Sequence, residues 1–219
     1  MKNTVVKFLT TVVIAIFPFA TQAENKPVDI TFGGLDSVKI KVGGNRWVDI
    51  KRVQDNNATV NPSFAKTSRP CPPFCIQPVV LAPGVETIGE NEMIDYLAQM
   101  SGGDESIMVI DSRTPNWVER GMIPGAVNLP WTKLNTKKGA DPLSISEILE
   151  GEFGATSFDG LWKFGNAKTL VMYCNGMWCG QSPANIKALL DFGYPADKIK
   201  WYRGGMQNWA NLGLTTIKP

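Results

Sequence analysis

From residue 85 onward, apolar segments that fit buried β-strands alternate with segments that fit helices. This alternation constrains the fold strongly, because near-continuous apolar strands between helices are typical of a parallel sheet covered on both faces. The sequence therefore predicts an α/β domain over residues 85–219. Its strands are predicted at 106–111, 126–129, 168–174 and 198–202, and its helices at 90–100, 114–120, 143–150, 183–192 and 206–212.

The residues before this domain have a different pattern. A β-hairpin extension is predicted over 24–60, because apolar residues alternate with polar ones on both sides of a Gly-Gly-Asn turn at 43–45. Residues 28–32 are a candidate third strand. So small a sheet needs another surface to pack against. The alternating apolar residues are Val38, Ile40, Val42, Val48 and Ile50.

Residues 61–84 form a proline-rich linker, which we expect to be irregular and to lie on the surface of the α/β domain. It contains the sequence Cys71-Pro-Pro-Phe-Cys75. These two cysteines fit a local disulfide, and they also fit a redox pair that exchanges with Cys174 and Cys179. Because the chain has no histidine, zinc binding would need all four cysteines to converge, and no metal site is predicted.

Residues 1–23 are predicted to be a cleaved signal peptide. Lys2 and Lys7 accompany an apolar stretch at 8–20 that is shorter than a membrane span, and small residues follow at 21–23. We therefore expect an exported protein, periplasmic if its source is a Gram-negative bacterium. Cleavage removes two of the 22 basic residues and leaves 20 of each sign. Neither nucleic acid nor a membrane is then an expected partner.

Cys174 ends one predicted strand, and ligands of open parallel sheets bind beyond the carboxyl ends of the strands. The loop after it leads to Ser182, an expected N-cap, and to Pro183, which suits a first helical turn. Amides and the dipole of that helix would lower the pKa of Cys174, so that it is a thiolate near neutral pH. Such a nucleophile needs no histidine. The alternative is a buried cysteine that packs as a small apolar side chain.

Four motifs in one order carry a resemblance to a known family. They are Asp111-Ser112-Arg113, the run 119–126, Tyr173-Cys174, and the run 202–209 with Gly213 after it. With these motifs, residues 85–219 resemble the rhodanese-like domain. The resemblance implies a five-stranded parallel sheet flanked by helices, with Cys174 at the end of the central strand. It also implies that Asp111 and Arg113 support the site, with Arg113 as a candidate anion contact.

The same resemblance implies a sulfurtransferase that needs no cofactor. In this family the cysteine takes a sulfane sulfur from a small donor as a persulfide. It then passes this sulfur to cyanide or to a thiol, which can belong to a protein. For the whole chain, the alternative is a non-catalytic binding module or a thiol redox partner that uses the same pocket.

The chain departs from the family pattern mainly in the loop after Cys174. Seven residues, none of them charged, separate Cys174 from Ser182, where the family has five and often an arginine. Anion binding would then depend on backbone amides and on Arg113 or Arg203, which weakens the expectation that thiosulfate is the donor. A cysteine phosphatase is not favoured, because its loop requires an arginine and the loop after Cys174 has none.

Cys179 gives this loop a second thiol. It would be able to attack an oxidised or persulfidated Cys174 and close a loop disulfide. A permanent disulfide and an idle thiol are the alternatives. Trp178 is expected to shield the loop or to contact a substrate. The remaining candidate loop residues are Asn175, Gly176, Gly180 and Ser182.

Overall fold

A computed structural model describes residues 27–219, and the predicted signal peptide lies outside this range. In chain order its strands are β1 (Ser37–Lys41), β2 (Trp47–Lys51), β3 (Glu86–Ile88), β4 (Ile107–Asp111), β5 (Val127–Asn128), β6 (Thr156–Phe158), β7 (Leu161–Lys163), β8 (Thr169–Tyr173) and β9 (Ile199–Tyr202). Its helices are α1 (Glu90–Ser101), α2 (Pro115–Val118), α3 (Pro142–Glu147), α4 (Gln181–Asp191) and α5 (Gly205–Asn211).

The central sheet has five parallel strands in the order β3-β9-β8-β4-β5. Strand β8 is the middle strand, and its side chains alternate between two buried clusters. Leu170 and Met172 pack with residues of α3 and α4, whereas Val171 and Tyr173 pack with residues of α1 and α5. Helices therefore cover both faces, and the predicted α/β class is confirmed.

The N-terminal hairpin is part of the larger core. Strands β1 and β2 pair in antiparallel fashion, and Ile40 and Ile50 are fully buried in one cluster with Leu97 of α1. The Val53 amide donates to the Gly213 carbonyl at 2.8 Å, which joins the hairpin to the end of the chain. The candidate third strand at 28–32 is wrong, because the Ile30 amide bonds back to the Leu35 carbonyl and closes a turn.

The proline-rich segment is irregular and lies across the carboxyl end of the sheet. The Gln77 amide donates to the Met177 carbonyl at 2.8 Å, in the loop that follows β8. The Arg203 guanidinium, which follows β9, donates to the carbonyl oxygens of Gln77 and Pro78. Two loops of the domain thereby hold the segment beside the predicted site.

Two details differ from the expectations. Helix α4 begins at Gln181 with Gly180 as its N-cap, so Ser182 is not the cap; its hydroxyl bonds to Cys174 instead. Strand β3 and the short hairpin of β6 and β7 have no predicted counterpart. Within residues 27–219, no helix is long and apolar enough to cross a membrane.

Candidate active site

The loop between β8 and α4 starts at Cys174, at the carboxyl end of the middle strand, and α5 supports it from beneath. The amides of Met206 and Gln207 donate to the carbonyls of Cys174 and Asn175, each at 3.0 Å. Gly205 permits this close approach. Its φ is +56°, and a β-carbon there would collide with the Cys174 carbonyl oxygen.

Cys174 is buried and forms no disulfide, and its sulfur both receives and donates hydrogen bonds. The Ser182 hydroxyl lies 3.1 Å from the Cys174 sulfur, and the Trp201 indole N–H donates to the same hydroxyl at 3.1 Å. Because the indole N–H can only donate, the Ser182 hydrogen is free to point at Cys174. The Cys174 thiol in turn donates to the Cys179 carbonyl oxygen at 3.3 Å.

Cys179 is the second buried, unbridged thiol, and it receives more hydrogen bonds from amides. The Asn175 side-chain amide lies 3.7 Å from its sulfur, and the backbone amides of Asn175 and Gln181 favour its thiolate form. Although burial opposes ionisation, the Cys174 thiol and these amides lower the pKa of Cys179 to about 7.

The pKa of Cys174 is shifted in the opposite direction. Burial, and after it the neighbouring Cys179, raises the pKa of Cys174 well above its ordinary value, although the hydroxyl and amide of Ser182 act against this rise. The expectation that Cys174 is the thiolate near neutral pH is therefore wrong for the reduced pair. The path of the loop gives the amides to Cys179, so the first proton leaves Cys179.

Alkylation at graded pH tests this order. We expect iodoacetamide to label Cys179 with a midpoint near pH 7 and Cys174 only at higher pH, because thiolates react and thiols do not. Peptide mass after quenching measures both sites. Cys71 and Cys75, which are joined in a disulfide, serve as unlabelled internal references. Labelling of Cys174 before Cys179 would contradict the assignment.

An apolar cavity of about 280 Å³ opens onto Cys179. Cys174 is not among the residues that line this cavity. Trp178 stands beside this cavity. Its indole N–H donates to the Gln207 side chain at 2.6 Å, and its ring meets Phe74 edge to face at 5.6 Å. The lining residues are Pro73, Phe74, Trp117, Trp131, Asn175, Cys179, Gly180 and Gln181.

Asp111 and Arg113 form a fully buried ion pair at the end of β4, with a shortest separation of 2.6 Å. Burial works against the Arg113 charge, but Asp111 holds the pKa of Arg113 above its ordinary value. The guanidinium also donates to the carbonyls of Trp117 and Gly121. Arg113 therefore positions the wall of the cavity, and four of its five N–H groups are engaged within the protein, which leaves it little capacity to bind an anion.

Arg203 points toward the proline-rich segment, because its Nε and Nη2 donate to the carbonyls of Gln77 and Pro78. The Gly176 carbonyl accepts a hydrogen bond from the Cys179 amide at 2.9 Å. Gly176 has a φ of +154°, and a β-carbon at this position would lie 3.2 Å from the Gln207 side chain. Across the described part of the chain, no group of three or more histidine, cysteine, aspartate or glutamate side chains could hold a metal ion.

Sequence reasoning missed the contribution of the proline-rich segment. Cys71 and Cys75 form a disulfide, and the turn between them carries Phe74 against Trp178. Arg69, just before this turn, lies 3.8 Å from the centre of the Trp178 ring. Only the proline density marked this segment as surface-bound, and no local pattern linked it to a loop a hundred residues later. The missed residues are Arg69, Phe74, Trp117, Trp131 and Gln207.

Comparison with known proteins gives the following matches. A family model described as "Rhodanese-like domain" matches residues 93–212, which include the whole loop from Cys174 to Ser182. A protein of Allochromatium vinosum named "Sulfurtransferase" is 26% identical over 125 residues, which are 57% of this chain and 92% of that protein.

Two solved structures are also similar. A Rhodopseudomonas palustris protein of unknown function, described as a possible tyrosine phosphatase, is 22% identical with a TM-score of 0.43, over 63% of this chain and 88% of that one. A human single-domain sulfurtransferase is 20% identical with a TM-score of 0.37, over 57% of this chain and 95% of that one.

Proposed function

The chain belongs to the rhodanese-like domain family, and on that premise we propose that it is a sulfurtransferase that carries a sulfane sulfur as a persulfide on Cys174. One observation supports this most: two buried, unbridged thiols lie at the carboxyl end of the middle strand, where the Cys174 thiol donates to the Cys179 carbonyl oxygen at 3.3 Å. The Ser182 hydroxyl adds a donor to the Cys174 sulfur. A thiol used only for packing would need none of these polar contacts.

In the first step, Cys174 becomes the nucleophile by giving its proton to the Cys179 thiolate. Because the pKa of Cys179 is about 7, its thiolate is present at neutral pH and can accept a proton in a chain that has no histidine. The Cys174 thiolate attacks the outer sulfur of the donor, a new S–S bond forms, and the donor's S–S bond breaks. Its electron pair leaves with the remainder of the donor, which is sulfite when the donor is thiosulfate. The Ser182 hydroxyl stabilises the attacking charge.

In the second step, an acceptor removes the outer sulfur. Cyanide or a thiolate attacks that sulfur, and the electron pair of the broken S–S bond returns to Cys174. Cys179 offers a second outcome, in which its thiolate attacks the inner sulfur of the Cys174 persulfide. That attack forms a Cys174–Cys179 disulfide and releases hydrosulfide, and an external thiol must then reduce the disulfide.

Sulfur transfer to cyanide tests the proposed function. We expect the reduced full-length protein to form thiocyanate from benzenethiosulfonate or thiosulfate at a rate proportional to enzyme concentration. Its intact mass should rise by one sulfur when cyanide is omitted. If neither donor is turned over and none loads sulfur, the proposal fails.

A thiol redox partner is the second candidate, favoured by the same two unbridged thiols in one loop. Such a protein would cycle between a Cys174–Cys179 dithiol and disulfide without holding extra sulfur. It would show no persulfide mass in the assay above, and in a separate assay it would reduce a disulfide substrate. The two functions therefore predict different masses for the same sample.

We also propose that the protein works outside the cytoplasm, with a small sulfur donor and a thiol acceptor as its partners. The Cys71–Cys75 disulfide supports this, because structural disulfides persist in oxidising compartments. The N-terminal mass of protein recovered from its own cells checks it. A chain that still begins at Met1 would contradict the predicted cleavage.

A further inference from the structure

The loop from Cys174 to Ser182 contains no charged residue, although sulfur donors of this family are commonly anions. The two arginines expected to serve it are engaged elsewhere. Arg113 is buried against Asp111, and Arg203 bonds to the proline-rich segment. Another part of the chain offers a further cation.

Arg69 of the proline-rich segment lies next to the site, in the lining of a neighbouring cavity that shares Phe74 with the cavity at Cys179. Its guanidinium carbon lies 3.8 Å from the ring centre of Trp178, 5.7 Å from that of Trp117 and 5.9 Å from that of Phe74. Two of these rings, Trp117 and Phe74, also line the cavity that opens onto Cys179. Aromatic faces attract a cation and hold it in place without using its N–H donors.

The donors of Arg69 are largely free. Its Nε is buried and has no hydrogen-bond partner among residues 27–219. Its Nη2 makes one long bond of 3.4 Å to the Lys66 carbonyl. A buried donor without a partner is costly, and an anion in the site would satisfy it.

The charge of Arg69 also interacts with the sulfur of Cys179. Burial and the charge of Arg120 lower the pKa of Arg69, whereas the charge of Cys179 raises it. Arginine nevertheless stays protonated in proteins, so a positive charge stands near the Cys179 thiolate. The turn that follows Arg69 is closed by the Cys71–Cys75 disulfide and by the bond from the Phe74 amide to the Pro70 carbonyl, which together fix its position.

We propose that Arg69 is the anion-binding residue of this site and that the donor is a thiosulfonate whose apolar substituent occupies the aromatic cavity. The inference rests on the proposed sulfurtransferase function. The donor R–SO₂–S⁻ loses its outer sulfur to Cys174, and the sulfinate R–SO₂⁻ leaves with the electron pair of the broken S–S bond. Arg69 binds the sulfonyl oxygens, where negative charge grows as that bond breaks.

The walls of the cavity favour an organic donor over inorganic thiosulfate. Phe74, Trp117, Trp131 and Pro73 surround a space of about 280 Å³ that thiosulfate would leave mostly unfilled. Burial of one aromatic ring increases affinity by a factor of roughly 10 to 150. We therefore expect the KM for benzenethiosulfonate to be at least about 10-fold below that for thiosulfate.

Paired alkylating reagents test Arg69 independently of sulfur transfer. Iodoacetate is an anion and iodoacetamide is its neutral counterpart, so their rate ratio at Cys179 reports a nearby cation. Arg69→Gln should lower this ratio about 10-fold, and Arg69→Lys should restore part of it. Arg120→Gln is the matched control, because Arg120 is exposed and stacks on Trp117 at 4.4 Å; it should change the ratio less than about 2-fold.

Donor kinetics give the second measurement. Arg69→Gln should raise the KM for benzenethiosulfonate about 30-fold, the effect of one lost hydrogen bond to a charged group. If Arg69→Gln slows iodoacetate and iodoacetamide equally, Arg69 is only structural and the inference is wrong. If the reagent ratio falls as expected but the wild-type protein transfers no sulfur, the anion site stands and the proposed function fails.

Discussion

Asp111→Ala is expected to lower the free energy of unfolding by about 3–5 kcal/mol. The substitution leaves the Arg113 guanidinium charged and fully buried without the carboxylate that it bonds to at 2.6 Å. Three of the hydrogen bonds of Arg113 end on Asp111, and the protein interior offers no water in exchange. Urea denaturation followed by tryptophan fluorescence measures the loss.

A second ion pair of the same chain provides the control. Glu86 and Lys200 are 2.8 Å apart, but Glu86 is 57% exposed. Glu86→Gln should therefore cost about 1 kcal/mol or less. The double variant Asp111→Ala with Arg113→Met should recover most of the loss, because no charge remains buried. Equal losses at Asp111 and Glu86 would show that the buried pair has no special importance.

Cys174→Ser is expected to abolish sulfur transfer, with thiocyanate formation falling about 1,000-fold or more, because the hydroxyl that replaces the thiol cannot form a persulfide. Cys179→Ser should behave differently. Loading should remain but slow by about 100-fold at pH 7, since the proton acceptor is lost, and should recover as the pH rises. Loaded sulfur should also persist longer when no acceptor is added, because the second thiol can no longer release it.

Stopped-flow loading and intact mass at intervals follow both effects. Far-ultraviolet circular dichroism of the two variants controls for folding. If Cys179→Ser loads and loses sulfur at the wild-type rates, Cys179 is neither a proton acceptor nor a resolving thiol. If Cys174→Ser retains activity, the carrier is another residue.

The central sheet could be predicted because its signal is local and strong. β4 and β8 are short runs of apolar residues, and each places a reactive or charged side chain at its carboxyl end, which brings Cys174 near Asp111 and Arg113. The hairpin of β6 and β7 escaped prediction for the opposite reason. Its strands have three residues each and are mostly exposed, so burial imposes no alternation; an Asp159-Gly160 turn is its main sequence signal.

The chemistry of the loop could be predicted only in part. A cysteine nucleophile beside a helix N-terminus follows from the spacing of Cys174 and Ser182, but the choice between two thiols depends on the backbone path. The amides of Asn175 and Gln181 point at Cys179, and no residue pattern announces this. Arg69 is similarly hidden, since its role depends on where a proline-rich segment lies on the domain.

The most direct test of the account locates the transferred sulfur. Reduced wild-type protein is loaded with benzenethiosulfonate, blocked with iodoacetamide, digested without reductant and fragmented by tandem mass spectrometry. We predict a blocked persulfide on Cys174 and simple alkylation on Cys179 in the same peptide. Extra sulfur on Cys179 in wild type, or extra sulfur retained by the Cys174→Ser protein, would contradict the assignment of Cys174 as the sulfur carrier.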